Sequence, residues 1–235
     1  MAAITGIDGS VTYAAGWVTN AHYFRIKESA IVRERTPFAP AGNARQRDTG
    51  LRSWEGEYRC WQAATVNTDL AAASGYATNA HAYSIELVAD DLLTTPFGAT
   101  FQQRIAGLIA ASGSYDCYLD SVTPLPTAGD TDTLTLTIDA GLTFTIPTVI
   151  ADAESRASSE GADRHVVITW SSSGAWVSAG VPIIGTSGAA TFVAEGGREY
   201  SGTILVTRIG INLTAQREIA EWTFGFVGNG AGVAA

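Results

Sequence analysis

Cysteine is almost missing from this chain, with two residues, Cys60 and Cys117, in 235. Two thiols cannot build the dense disulfide framework of a small secreted fold or close a four-ligand zinc site. Positive charge is also short: 14 Lys and Arg stand against 23 Asp and Glu, for a net charge of −9 and a pI near 4.7. That balance excludes a general nucleic-acid-binding protein, which needs a basic face to neutralise phosphate. No window reaches 18 uninterrupted apolar residues, so no membrane-spanning helix is expected. The opening MAAITGIDGS carries no basic n-region and no apolar h-region, which predicts no secretory signal. With 46% hydrophobic and 16% charged residues, the chain is globular rather than disordered.

What the chain does have is an internal repeat. The stretch 19–38, TNAHYFRIKESAIVRERTPF, returns at 78–97 as TNAHAYSIELVADDLLTTPF, displaced by 59 positions without a gap. From Gly16 against Gly75 to Phe38 against Phe97, 10 of 23 residues are identical. The likeness continues at an offset of 57, where Arg47, Gly50, Leu51, Gly56, Tyr58 and Cys60 meet Arg104, Gly107, Leu108, Gly113, Tyr115 and Cys117. Self-similarity at a fixed offset precedes any fold assignment. It marks a duplication, with copies A and A′. The matched cysteines read as small buried apolar residues on equivalent strands.

Within A, Phe24 and Ile26 alternate with Arg25 and Lys27, the period of a half-buried strand. Residues 1–18 read as a short strand pair around Val11, Tyr13 and Val18, punctuated by Gly9 and Gly16. The run 36–43 contains Pro37 and Pro40, which lack ladder donors, so it is an exposed loop or the tip of a long hairpin. In RSWEGEYRCW, 52–61, Trp54, Gly56, Tyr58 and Cys60 face one way and Glu55, Glu57 and Arg59 the other. Residues 62–77 read as a linker or as one or two helical turns around Asp69 to Ala73. By propensity FQQRIAGLIAA, 101–111, looks helical, but its partner 44–54 carries Gly50 and runs into a strand, so strand is expected. Residues 121–131 are a Pro- and Thr-rich linker.

A weaker pair follows. Segment B, 134–175, matches B′, 190–231, at an offset of 56, with only four of 42 residues identical. The pattern agrees better. An acidic-glycine turn, Asp139 to Gly141 against Glu195 to Gly197, precedes an aromatic strand at Phe144 or Tyr200. An apolar edge (Val149-Ile150, Leu205-Val206) and a polar stretch come next, and the last strand alternates, Val166-Ile168-Trp170 against Trp222-Phe224-Phe226. The order A, A′, B, B′ predicts one domain inserted in another, an inner one at 75–179 and an outer one from 1–74 plus 180–235, as insertions succeed at exposed loops with neighbouring ends. The fold class expected is all-β: two similar β-sandwich or partly closed barrel domains with little helix.

Catalysis finds little support. His22 and His81 share one repeat position, which favours a structural role, and His165 beside Asp163 reads as part of a solvated turn. GTSG at 185–188 is not a nucleophile elbow. Asp120, Asp130 and Asp132 lack EF-hand spacing. GNGAG at 228–232 follows the last strand and precedes no helix, so it is not a phosphate loop. Asn212-Leu213-Thr214 matches a glycosylation sequon without secretory context. The aromatic residues fall mostly on inward strand phases and read as core rather than as a sugar platform. The residues point to no enzyme, no metal and no cofactor. The cluster Arg33, Arg35, Arg45 and Arg47 reads equally as a solvated hairpin or as a contact to acidic neighbours.

Segments GIDGSVTYAAGWVTNAH at 6–22, the Thr-Pro-Phe loop and GLRSWEGEYRCW at 50–61 resemble the N-terminal half of phage tail tube (major tail) proteins. GAATFVAEGGREYSGTILVTRIGINL at 188–213 and EWTFGFVGNGAG at 221–232 resemble the C-terminal half. The resemblance implies a virion structural protein, made in the host cytoplasm, whose rings stack into a tube that conducts DNA. Its partners would be itself, other tail proteins and DNA that passes without specific binding, with no membrane. A usual subunit has one A–B domain and makes six-fold rings, so two domains per chain imply a ring of three chains, or of six with the extra domain outside. Candidate subunit-contact residues are Arg33, Arg35, Thr36, Pro37, Phe38, Arg45, Arg47, Thr95, Pro96 and Phe97. The rival expectation is a capsid or tail decoration, or a carbohydrate- or cell-binding module.

Overall fold

The computed structural model describes residues 10–13, 21–34, 47–63, 80–119, 124, 126–139, 142–157, 164–179, 184–194, 196–214 and 219–234. Among them the structure is all strand and turn, with no helix. The strands are β1 (Ser10–Tyr13), β2 (Ala21–Glu34), β3 (Arg47–Ala63), β4 (Ala80–Leu93), β5 (Arg104–Leu119), β6 (Thr131–Asp139), β7 (Leu142–Ala157), β8 (Arg164–Ser172), β9 (Val177–Ala179), β10 (Ser187–Val193), β11 (Glu199–Thr214) and β12 (Ile219–Ala234). All strand pairs are antiparallel, in one sheet ordered β2-β3-β12-β11-β4-β5-β8-β7-β6, with β10 beside β11, β1 beside β10 and β9 beside β7.

The period-two patterns become burial patterns. Trp54, Tyr58 and Cys60 of β3, Val166, Ile168 and Trp170 of β8, and Trp222, Phe224 and Phe226 of β12 are all buried. Cys60 and Cys117 are buried thiols outside any disulfide, as small apolar residues are buried. The segment 104–111 is strand despite its helical propensity, because it pairs with β4 from Arg104 opposite Leu93 to Ala111 opposite Leu87 and runs on into Ser112–Leu119, which lies between β4 and β8.

One pairing pattern occurs twice. Phe24 faces Tyr58 and Ile26 faces Gly56 in β2·β3. At offsets of 59 and 57, Tyr83 faces Tyr115 and Ile85 faces Gly113 in β4·β5. The bulges coincide, at Ala21/Tyr23 and Ala30/Val32 in the first hairpin and at Ala80/Ala82 and Ala89/Asp91 in the second. β11·β12 slips between Val206 and Arg208, and β7·β8 slips 56 residues earlier, between Ile150 and Asp152. Phe192 faces Tyr200 as Leu136 faces Phe144, and Tyr58 faces Phe224 as Tyr115 faces Ile168. The strand sets β2-β3-β12-β11-β10 and β4-β5-β8-β7-β6 therefore share a register, although B and B′ share few letters.

Each set curls into a sandwich-like layer, and the buried residues of both form one continuous hydrophobic core. Phe24 of β2 and Phe192 of β10, four strands apart in the sheet, lie with ring centroids 5.6 Å apart. The Tyr83 hydroxyl of β4 donates to the Thr137 carbonyl of β6 at 3.4 Å. The sheet does not close into a barrel, and the two sets join where β11 pairs with β4.

Several expectations change. Of residues 1–18 the structure describes β1, which pairs with the distant β10; the rest of the expected strand pair lies outside the described residues. The stretch after Ile150 continues as strand to Ala157. His165 belongs to β8 rather than to a turn, its Nε2 3.9 Å from the Asp116 carboxylate. The GNGAG stretch lies within β12. There its glycines make room for an aromatic ring: a Cβ on Gly228 would stand 2.1 Å from the Trp54 indole, and Trp54 Nε1 donates to the Gly230 carbonyl at 3.1 Å. The loop expected at 36–43 and the possible helix near Asp69 lie outside the described residues.

Candidate subunit interface

Of the ten candidate contact residues, Arg33, Arg47, Thr95, Pro96 and Phe97 are described; Arg35, Thr36, Pro37, Phe38 and Arg45 lie outside the described residues. Arg33 and Arg47 sit on opposite arms of the first hairpin, facing Asp48 and Glu34 respectively, so acidic neighbours in the same hairpin answer both. The second hairpin's turn is built by local bonds: Ala99 N donates to the Pro96 carbonyl at 3.3 Å, Gly98 takes φ 83°, and Gln103 N donates to Thr95 Oγ1 at 3.1 Å. Arg33, Gly50 and Leu51 line one cleft together with residues 95–100. The structure thus brings Arg33 to the Thr-Pro-Phe loop, and Phe97 at its tip is fully exposed.

This loop clamps the second strand set onto the first. Arg52 N donates to the Thr100 carbonyl and Gln102 N to the Arg52 carbonyl, both at 2.9 Å. Gly230 N donates to the Gln102 carbonyl at 2.9 Å, and Arg104 N to Asn229 Oδ1 at 3.0 Å. The Arg52 guanidinium lies 6.0 Å over the Phe101 ring. Beside the clamp, β4 and β11 pair from Val88 opposite Arg208 to Ala82 opposite Thr214. Leu87, Ile85, Ile209 and Ile211 bury one face of that joint, and the Arg208–Glu86 ion pair lies on the other.

The equivalent surface of the second set is open. Where Leu51 is half-buried, its counterpart Leu108 is 83% exposed. Ile105 and Ile109 are exposed as well, with Leu92 and Leu93 on β4. Among the described residues, β2 pairs only with β3, and the stretch of β7 from Asp152 onward pairs only with β8. β2 and this part of β7 are therefore edges, and edges are templates for another chain. Neither the β7 edge nor the Leu108 surface is legible from composition. The 57-residue offset that equates Leu108 with Leu51 is the signal that leads to them.

The ionisable core serves packing. Burial pushes the phenols of Tyr58 and Tyr83 far above their ordinary values and that of Tyr200 up to about 12. Burial, with Asp116 adding, raises the Cys117 thiol to about 11, which leaves it protonated and unreactive at neutral pH. His22 stacks on Trp61 at 4.0 Å, its Nε2 3.7 Å from Glu221. Among the described residues no group of three or more His, Cys, Asp or Glu is placed to hold a metal. Among the described residues no helix is long and apolar enough to cross a membrane. No protein-family model matches the chain, and no curated protein matches it.

Proposed function

We propose that this chain is a structural virion protein, a tail tube subunit that assembles into stacked rings around a DNA-conducting channel. The observation that carries the reading is the repeated register. Two strand sets with the same pairings, joined edge to edge, form a unit that is open at both ends. A chain that presents two different, complementary edges makes heterologous contacts, and these generate rings when the rotation closes. The sequence resemblance to tail tube proteins points the same way. We read the two sets as copies of one domain, the second (75–179) inserted into the first (1–74 plus 180–235). Three chains then supply six equivalent units, and a ring of six chains is the second stoichiometry. Continuous pairing between chains removes the exposed edges, and the net negative charge suits a channel that DNA passes without adhering.

A decoration or carbohydrate-binding module is the rival, favoured by the exposed Trp61 and Tyr118. Negative-stain electron microscopy over a concentration series, with native mass spectrometry, separates the two. The tube reading expects rings with a central hole and a mass of three or six chains. A monodisperse monomer at every concentration would overturn it.

A further inference from the structure

The joint inside the chain also describes the joint between chains. We propose that the free edge of β7 in one copy pairs antiparallel with β2 of the next, with Ser29 opposite Asp152 and Lys27 opposite Glu154. This deepens the ring reading and rests on it. The register is that of β4·β11 carried over by the repeat offsets. Val88 opposite Arg208 becomes Ser29 opposite Asp152, and Glu86 opposite Gly210 becomes Lys27 opposite Glu154, as 59 is subtracted on one strand and 56 on the other.

The charges agree, with their signs exchanged. Inside the chain Arg208 on β11 reaches diagonally to Glu86 on β4. At the corresponding positions stand Asp152 on β7 and Lys27 on β2. Lys27 therefore meets Asp152 on the diagonal and Glu154 directly across. Pairing β2 with β11, or β7 with β4, would set Lys27 against Arg208 or Asp152 against Glu86. Each edge thus accepts its own partner and rejects the other. Two β2 edges facing each other would bring Arg25 and Lys27 onto like charges, and two β7 edges would do so for Asp152 and Glu154. The register also sets Arg25 opposite Arg156, with Glu57 beside Arg25 on β3 and Glu154 on the diagonal.

Lys27 is the chain's one lysine, so a zero-length carbodiimide cross-link reports on it cleanly. Rings are assembled from a mixture of ¹⁴N- and ¹⁵N-labelled protein, cross-linked, digested and read by mass spectrometry. The expected product is a Lys27–Asp152 or Lys27–Glu154 peptide pair with one partner of each isotope. Lys27→Glu and Asp152→Lys should each raise the concentration needed for assembly by about tenfold or more. Adding Glu154→Gly to the double variant, which then copies the internal joint with Glu86 across from Gly210 and diagonal to Arg208, should restore it. Lys27 also contacts Glu55 within the chain at 2.9 Å, so Glu55→Gln is the control and should assemble as wild type. Melting curves establish that the variants are folded. Rings that form without the mixed-isotope link and ignore both single charge changes would overturn this register and leave the ring reading standing. A wild-type chain that never leaves the monomer would overturn both.

Discussion

At the residue scale, the repeated glycines act by being small. Gly56 and Gly113 lie mid-strand, where glycine weakens a strand unless something occupies the space a Cβ would take. Here something does. A Cβ on Gly56 would stand 2.2 Å from the Arg25 carbonyl oxygen and 2.6 Å from the Phe226 ring, and one on Gly113 would stand 2.1 Å from the Ser84 carbonyl oxygen and 2.7 Å from the Trp170 ring. Gly210, in contrast, has no neighbour closer than 3.8 Å. Gly56→Ala is expected to cost about 2 kcal/mol or more by overpacking, while Gly210→Ala stays within about 1 kcal/mol. Urea denaturation of both variants checks the contrast, and equal losses would refute it. The match of Gly56 with Gly113 was legible from the offset. That each supports an aromatic ring was not, since the ring arrives from β12 or β8, more than 50 residues away.

At the element scale, the same strand position has two fates. Leu87 of β4 is buried where β4 meets β11. Its counterpart on β2 is Glu28, on an edge. Leu87→Ala is expected to cost about 2–5 kcal/mol through lost burial and a residual cavity. Glu28→Ala should change the stability of the monomer by less than about 0.5 kcal/mol. Chemical unfolding of the two variants at monomer concentrations measures both, and a Glu28→Ala loss comparable with that of Leu87→Ala would contradict the edge assignment. The hairpins themselves were readable, because alternation and the offset agree. β5 shows why propensity failed: Ala and Leu favour helix locally, but the continuous ladder with β4, extended by β8 from Ser112 onward, outweighs a few tenths of a kcal/mol per residue. The partner of the N-terminal strand β1 was not readable for a related reason. Alternation identifies a strand but does not name its partner, and β1 found β10.

At the scale of the whole molecule, the buried acids tie stability to alkaline pH. Tyr58, Tyr83 and Cys117 are buried and Tyr200 is half-buried in their neutral forms, so the folded chain keeps these protons to higher pH than the unfolded chain does. Stability from these groups is fully present below the ordinary thiol value of 9.0. It is lost as pH rises from there through the folded values of about 11 for Cys117 and about 12 for Tyr200. The melting temperature should accordingly be insensitive to these groups between pH 7 and 9 and fall steeply above pH 10. A Cys117→Ser variant that removes none of the loss near pH 9 to 11 would show that the thiol does not share in it.

The sequence by itself determined the local character of this protein: all strand, two matched hairpins, glycine and aromatic positions in phase, and an acidic surface. Those properties live in short-range alternation and in a repeat offset, which survive without knowledge of contacts. Only the tertiary structure decided which strands are neighbours, that β11 joins the two sets through β4, that β2 and the end of β7 are left as edges, and that Leu108 is uncovered where Leu51 is not. Backbone pairing is chemically the same for every strand. A strand's partner is therefore chosen by the burial of its side chains against distant ones, which no local pattern encodes.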